Sequence, residues 1–383
     1  MAQIRPEQPV DVEPPERPRK ALRYGVPLGI AGVTALTIGL VPALAQTGDG
    51  LDDISAEDLI TKVLESDVET VQGTVKVQTD LGLPALPAGL GGDKGSSADP
   101  TENLTSLLSG ESKLQVAADG PDKQKVTLVG KGGKDYTVLH SGDDLWAYGA
   151  GSDEVFHGTG VDAAAADAEK KDGGEHGLPD DLADLSPREL AQEALERTAD
   201  TSSVTVAGTT SVAGQDAYQL RIAPKQDAST VKDIRIAVAE TGVPLKFTLT
   251  TDDNTKVLDV GFTQVDFAKP DAGTFAYKPP AGAQVTEKDL GEREAAPDKG
   301  QAPAWAKDVE THGSGWTTVG EISLPAGALD EDGAGMMLDT FTEKADGGRL
   351  FSTPLVNALV TDDGKVFFGA VDADELSKVA AEN

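Results

Sequence analysis

The chain reads as an α+β protein, mainly β, built around a large curved antiparallel sheet. Three observations carry that reading. Residues 204–285 alternate apolar and polar side chains segment after segment, with turn residues between them at Gly214-Gln215-Asp216, Thr241-Gly242 and Asp252-Asp253-Asn254. A second series of short alternating runs, at 71–79, 112–117, 124–130, 135–140, 144–148 and 154–157, is punctuated by Asp119-Gly120, Gly132-Gly133 and Gly142-Asp143. Only a few segments carry a helical period with a capping signal, so helices cover the sheet but do not alternate with its strands.

Taken in order, residues 1–23 are rich in Pro and charge and are expected to be a disordered basic cytoplasmic leader. Arg17, Arg19, Lys20 and Arg23 then precede an uncharged, mostly apolar run from Tyr24 to Ala45 that ends Ala43-Leu44-Ala45. Positive flank, apolar core and small-residue exit are the parts of a secretory signal, and the run is also long enough to span a bilayer as an anchor. Under either reading the basic flank stays in the cytoplasm and residues beyond about 46 lie outside, secreted after cleavage near Ala45 or held at the cytoplasmic membrane.

A main domain is expected over 46–285. Its first helix, 55–66, is capped by Ser55 and places Leu59, Ile60, Val63 and Leu64 on one face. Strand 71–79 follows, then a Gly/Pro/Ser loop at 81–103, read either as a flexible insertion or as a flap over a pocket. After the middle strands come an Ala/Asp-rich stretch at 161–173 and a well-signalled helix at 187–198. There Ser186 caps, Pro187 occupies the first position and Glu189 completes a capping box. Residues 286–303, charged and Pro-containing, read as a linker, and 304–383 as a small α+β piece with a hairpin turn at Asp362-Asp363-Gly364 and a C-terminal helix. That piece is either a second domain or extra strands on the first.

Composition restricts function more than it defines it. The chain holds 33 Lys and Arg against 65 Asp and Glu, a net charge of -32, which leaves nothing to neutralise phosphates and excludes nucleic acid as a partner. There is no cysteine, so disulfides, thiolate metal sites, a cysteine nucleophile and a lipidated N-terminal cysteine are all ruled out. His140, His157, His176 and His312 have no partner at metal-ligand spacing. Gly130-Lys131-Gly132-Gly133-Lys134 lacks the phosphate-loop spacing and reads as a hairpin turn; Asp330-Glu331-Asp332-Gly333 lacks the glutamate of a calcium loop. No nucleophile elbow is present. The expectation is a non-enzymatic protein with no catalytic residue, no metal and no cofactor.

What remains is an apolar face. Val75, Val77, Leu114, Val126, Leu128, Trp146, Leu220, Ile222, Ile236, Val238, Phe247, Leu249 and Phe262 are the candidates for lining a cavity that takes acyl chains. With aromatic residues at only 4%, such a cavity would be mainly aliphatic. The plain alternative for any one of these residues is a packed core.

Several strings resemble the periplasmic lipoprotein-carrier superfamily, both its LolA-like members and its RseB/MucB-like sensors. They are Val206-Ala207-Gly208, Val212-Ala213-Gly214 with Ala217-Tyr218-Gln219-Leu220, Ile234-Arg235-Ile236-Ala237-Val238, and Thr241-Gly242-Val243-Pro244-Leu245. Gly261-Phe262-Thr263-Gln264-Val265-Asp266-Phe267 and Phe275-Ala276-Tyr277-Lys278-Pro279-Pro280-Ala281-Gly282 complete the set, which covers roughly 55–285. The Ala/Gly/Asp-rich composition and basic leader look like the actinobacterial versions. The resemblance implies a half-open barrel with one or two helices packed in or over it and an interior for lipid or lipoprotein acyl chains. It implies as partners the cytoplasmic membrane and either an anti-sigma factor or an ABC transporter.

Overall fold

A computed structural model describes residues 51–82, 107, 110–161, 186–291, 309–324 and 341–383. The leader, the apolar run 24–45, most of the 81–103 loop, the 161–173 stretch, His176, the Asp330–Gly333 turn and most of the 286–303 linker lie outside these residues. Among the described residues no helix is long and apolar enough to cross a membrane.

Twelve strands form one curved sheet that is not closed into a barrel. Strand β1 (Thr70–Thr79) lies at its centre. On one side come β2 (Gly110–Asp119), β3 (Lys123–Leu128), β4 (Tyr136–Ser141), β5 (Asp144–Gly149) and β6 (Glu154–Thr159) in sequence order. On the other side come β11 (Lys256–Asp266), β10 (Pro244–Thr251), β9 (Val231–Ala239), β8 (Gln215–Pro224) and β7 (Ser202–Val212). These neighbours are all antiparallel, and β1 pairs with both β2 and β11. The sheet is therefore two meanders welded along one strand. The mainly β, α+β expectation holds.

Two helices pack on the β7–β10 end. α1 (Ala56–Leu64) starts where the Ser55 Oγ accepts from the Asp58 N–H at 3.0 Å, and α2 (Pro187–Thr198) starts at the full capping box of Ser186 and Glu189. Arg188 ties the two together, donating to Glu57 Oε1 at 2.6 Å and to Asp58 Oδ1 at 2.5 Å. Leu59 and Leu195 reach from the helices into a cluster with Val204, Leu220, Ile222 and Val238. The far end of α1 rests on the β9–β10 turn, where Lys62 Nζ donates to the Glu240 carbonyl and Ser66 Oγ to that of Thr241. Gly242 in that turn has φ +85, and a Cβ there would stand 2.3 Å from the Lys62 carbonyl oxygen. Both the turn and the helix contact therefore need glycine.

Past β11 the chain departs from expectation. Residues 275–285 do not form a closing antiparallel strand. A 3-10 turn at Ala272–Phe275 begins a strap that crosses one face of the sheet, and β12 (Gln284–Asp289) then pairs in parallel with β6 at the far edge. Pro279 and Pro280 lack the N–H groups a ladder strand needs, which delays pairing until Gln284. Thr286–Asp289, expected as linker, belong to this edge strand; all its side chains are exposed, so its composition looks like a linker while its backbone is paired.

A second, six-stranded antiparallel sheet is built from β13 (Glu310–His312), β14 (Val319–Ser323), β15 (Glu343–Ala345), β16 (Gly348–Ser352), β17 (Asn357–Thr361) and β18 (Lys365–Gly369). The Asp362–Gly364 turn joins β17 to β18 as the sequence predicts. Helix α3 (Ala373–Glu382) covers a core of Val319, Leu359, Phe367, Val371, Leu376 and Val379. This piece docks through Trp316, which packs against the α1/α2 cluster while its Nε1 donates to Ser202 Oγ at 2.7 Å and its backbone N–H to Gln226 Oε1 at 2.9 Å.

On the sheet face away from the helices, Asp233 is 2% exposed and accepts from Arg221 Nε at 2.9 Å and Arg235 Nε at 3.2 Å. Burial alone would raise its carboxyl, but hydrogen bonds and charge from Arg235 and Arg221 outweigh it and hold the group below the usual carboxylate range. A depressed native value means the stabilisation is present above about pH 4 and is lost as pH falls through the native value. Asp233→Asn should therefore cost about 1–3 kcal/mol at neutral pH and flatten the acid limb of a stability–pH curve measured by urea unfolding. Leu59→Ala, at a wholly buried position, should cost about 2–5 kcal/mol in the same measurement with the m-value unchanged.

Candidate functional site

Cross-strand partners share a face of a sheet, so the registers show where each candidate residue points. One file runs Leu220–Ile236–Phe247–Val260–Val77 across five strands. A second runs Ile222–Ile234–Leu249–Leu258, and a third Phe262–Val75–Leu114–Leu128–Tyr136. Val126 lies between Val116 and Val138 on the same side. Apart from Trp146, the expected cavity residues thus occupy one continuous apolar face.

That face is covered unevenly. At its helix-bearing end Leu220, Ile222 and Val238 are buried beneath α1 and α2, as packed core. Ile236, Phe247 and Leu249 are only partly buried at the margin of that cluster. Toward the centre Val75, Val77, Leu114 and Val116 form a second buried cluster, and Val126, Leu128, Val260 and Phe262 pack on it half-buried. Leu107 is the described residue of the 81–109 connection that touches this cluster. Among the described residues no helix lies over the β1–β3 stretch, where the same apolar face continues across β10, β11, β1, β2 and β3.

Trp146 is on the other face. Its ring stacks on His157 with centroids 3.7 Å apart, Tyr148 stacks on Tyr277 of the strap at 3.9 Å, and Trp146 meets Tyr277 tilted at 5.5 Å. His157 Nε2 lies 2.7 Å from Asp144 Oδ1, and its Nδ1 is 3.9 Å from Glu287 on β12. Burial pushes the Tyr148 hydroxyl up against a hydrogen bond with Thr137, and burial together with Tyr148 raises that of Tyr277. This aromatic group clamps the strap and plays no part in the apolar face. Alternation alone misassigns Trp146, because both faces of β5 carry large apolar side chains.

Sequence spacing also hides a constellation on the second sheet. Glu310, His312 and Glu321 bring one donor atom each within 4.8 Å of one another, because β13 and β14 pair with Glu310 opposite Glu321. Lys365 Nζ stands 3.0 Å from Glu321 Oε1, and His312 Nε2 lies 2.7 Å from Oε2. Burial raises the Glu321 carboxyl, but bonds from Lys365 and His312 outweigh it and the net shift is downward. With a lysine already supplying the counter-charge, the cluster is an ion-pair network holding β14 to β13 and β18.

No protein-family description matches the chain, and no curated protein matches it. Among solved structures, the complex of MucA and MucB from Pseudomonas aeruginosa is similar at 15% identity, over 85% of this chain and 96% of that one, with a TM-score of 0.37. A LolA superfamily protein from Nitrosomonas europaea is similar at 11% identity over 59% of this chain and 99% of its own, with a TM-score of 0.23. A putative outer membrane lipoprotein-sorting protein domain from Vibrio parahaemolyticus is similar at 10% identity over 58% and 95%, with a TM-score of 0.20.

Proposed function

We propose that this chain is an extracytoplasmic, non-enzymatic protein that holds acyl chains of a lipid or lipoprotein in the uncovered stretch of its apolar face. The observation that carries the reading is the half-buried set Phe247, Val260, Phe262, Val126 and Leu128, which continues the helix-covered core without helix cover of its own among the described residues. An acyl chain laid along this set gains about 0.8 kcal/mol per methylene removed from water, enough for a medium-length tail to offset the cost of ordering. The aliphatic lining offers few directional contacts, so selection would act on chain length and not on headgroup. The basic flank and apolar run at 17–45 support delivery to the outer side of the cytoplasmic membrane.

A second reading places a protein partner, an anti-sigma factor or an ABC transporter, on the six-stranded sheet. It is favoured by that sheet's own core, by docking through Trp316, and by edge strands β13 and β15 that have no outer partner among the described residues. Both can be true of one molecule.

Organic extraction of the purified protein followed by mass spectrometry should recover lipid. Phe262→Asp and Leu128→Asp, each placing a charge on the apolar face, should weaken a fluorescent fatty-acid probe by roughly tenfold or more. Lipid-free protein that also ignores the probe would remove the acyl reading.

A further inference from the structure

The face opposite the apolar one carries a cleft of about 380 Å3 over β1, β2, β3 and β11, walled at one side by Thr274 of the strap. Registers place Gln264, Thr74, Gln115, Thr127 and Thr137 in a single file across it. Thr74 and Thr127 are 8% and 7% exposed and form its floor, with the Thr127 hydroxyl bonded to that of Thr137 at 2.9 Å. Ala117, the next β2 residue on this face, contributes only a methyl, which keeps the space open.

The amides around this floor are weakly engaged. Gln72 Nε2 reaches Asp266 Oδ2 only at 3.4 Å, and Gln264 Oε1 meets Thr74 Oγ1 at 3.5 Å. Gln115 makes no side-chain hydrogen bond among the described residues. Glutamines on three adjacent strands thus present both donors and acceptors to the same small volume.

The ligand chemistry follows from what the lining lacks. Lys125 and Asp266 are its charged members, one of each sign, so neither an anion nor a cation gains on entry. The backbones of β1, β2 and β3 are already paired on both sides, so an added peptide strand has nothing to bond. What fits is a neutral molecule with closely spaced hydroxyls, each able to donate and accept against amide and hydroxyl groups. We propose that this cleft is a carbohydrate-binding site for a short neutral glycan. It lies on the opposite side of the sheet from the apolar face and stands independently of the acyl reading.

The test is isothermal titration of the detergent-free protein with chitotetraose, maltotetraose and cellotetraose. At least one of these should bind saturably. Gln115→Ala combined with Gln264→Ala should weaken that binding by roughly tenfold, the effect of losing one or two hydrogen bonds, and leave fatty-acid probe affinity unchanged. Gln115→Met, close in size at an exposed position with no side-chain hydrogen bond of its own among the described residues, should weaken it several-fold with the same thermal midpoint, separating a lost contact from lost folding. Absence of binding to all three at millimolar concentration, or binding that both variants leave untouched, overturns the proposal.

Discussion

The large sheet depends on one pairing, that of β1 with β11. These strands are far apart in sequence, and each belongs to a different meander; joined, they make one surface from two. The contact is close. At Gly73 a Cβ would fall 2.1 Å from the Gln264 carbonyl oxygen, so any side chain would push the strands apart beside the register shift at Thr74/Val75. Without this seam the apolar files would stop at Val260 and Phe262 on one side and at Val75 and Val77 on the other. The seam also brings Gln264 beside Thr74, so the polar cleft on the reverse face has the same origin.

The two faces then divide the work. One is mainly apolar, with Ser112, Gln124 and His140 entering it on β2–β4, and helices pack over its β7–β10 end. The other is polar, with hydroxyls, amides and the Asp233 network along its centre and an aromatic clasp at its edge. Since strand residues alternate between faces, each β strand serves both, and a single-residue slip in register would exchange them.

Much of this architecture was legible in the residues. Helix 187–198 coincides with α2, because Ser186, Pro187 and Glu189 act through local hydrogen bonds that need no tertiary context. The strands from 71 to 157 and from 204 to 266 are recognisable from period-two alternation, though their ends move by a few residues. What was hidden depends on non-local geometry. Covered and uncovered apolar residues look identical in sequence: Ile222 and Leu128 both hold apolar positions of alternating strands, and among the described residues a helix packs over the first and none over the second. Trp146 follows Leu145 in β5, so each face carries a bulky apolar side chain and alternation does not say which points to the helices. The Glu310–His312–Glu321 cluster arises from hairpin register and not from spacing, and the charged β12 resembles a linker until its backbone is seen beside β6.

The parallel pairing of β12 with β6 also has a temporal side. β6 is synthesised, and during export would emerge, before the whole of β7–β11, yet its outer edge is closed only by a strand that comes after them. Until then β6 presents a free row of backbone donors and acceptors, the kind of edge that recruits other chains. The strap that seals it rests on β3 and β4 through its 3-10 turn and on β5 through Tyr277. Because the strap arrives only with the end of the second meander, the interval before it docks leaves this edge open to mispairing.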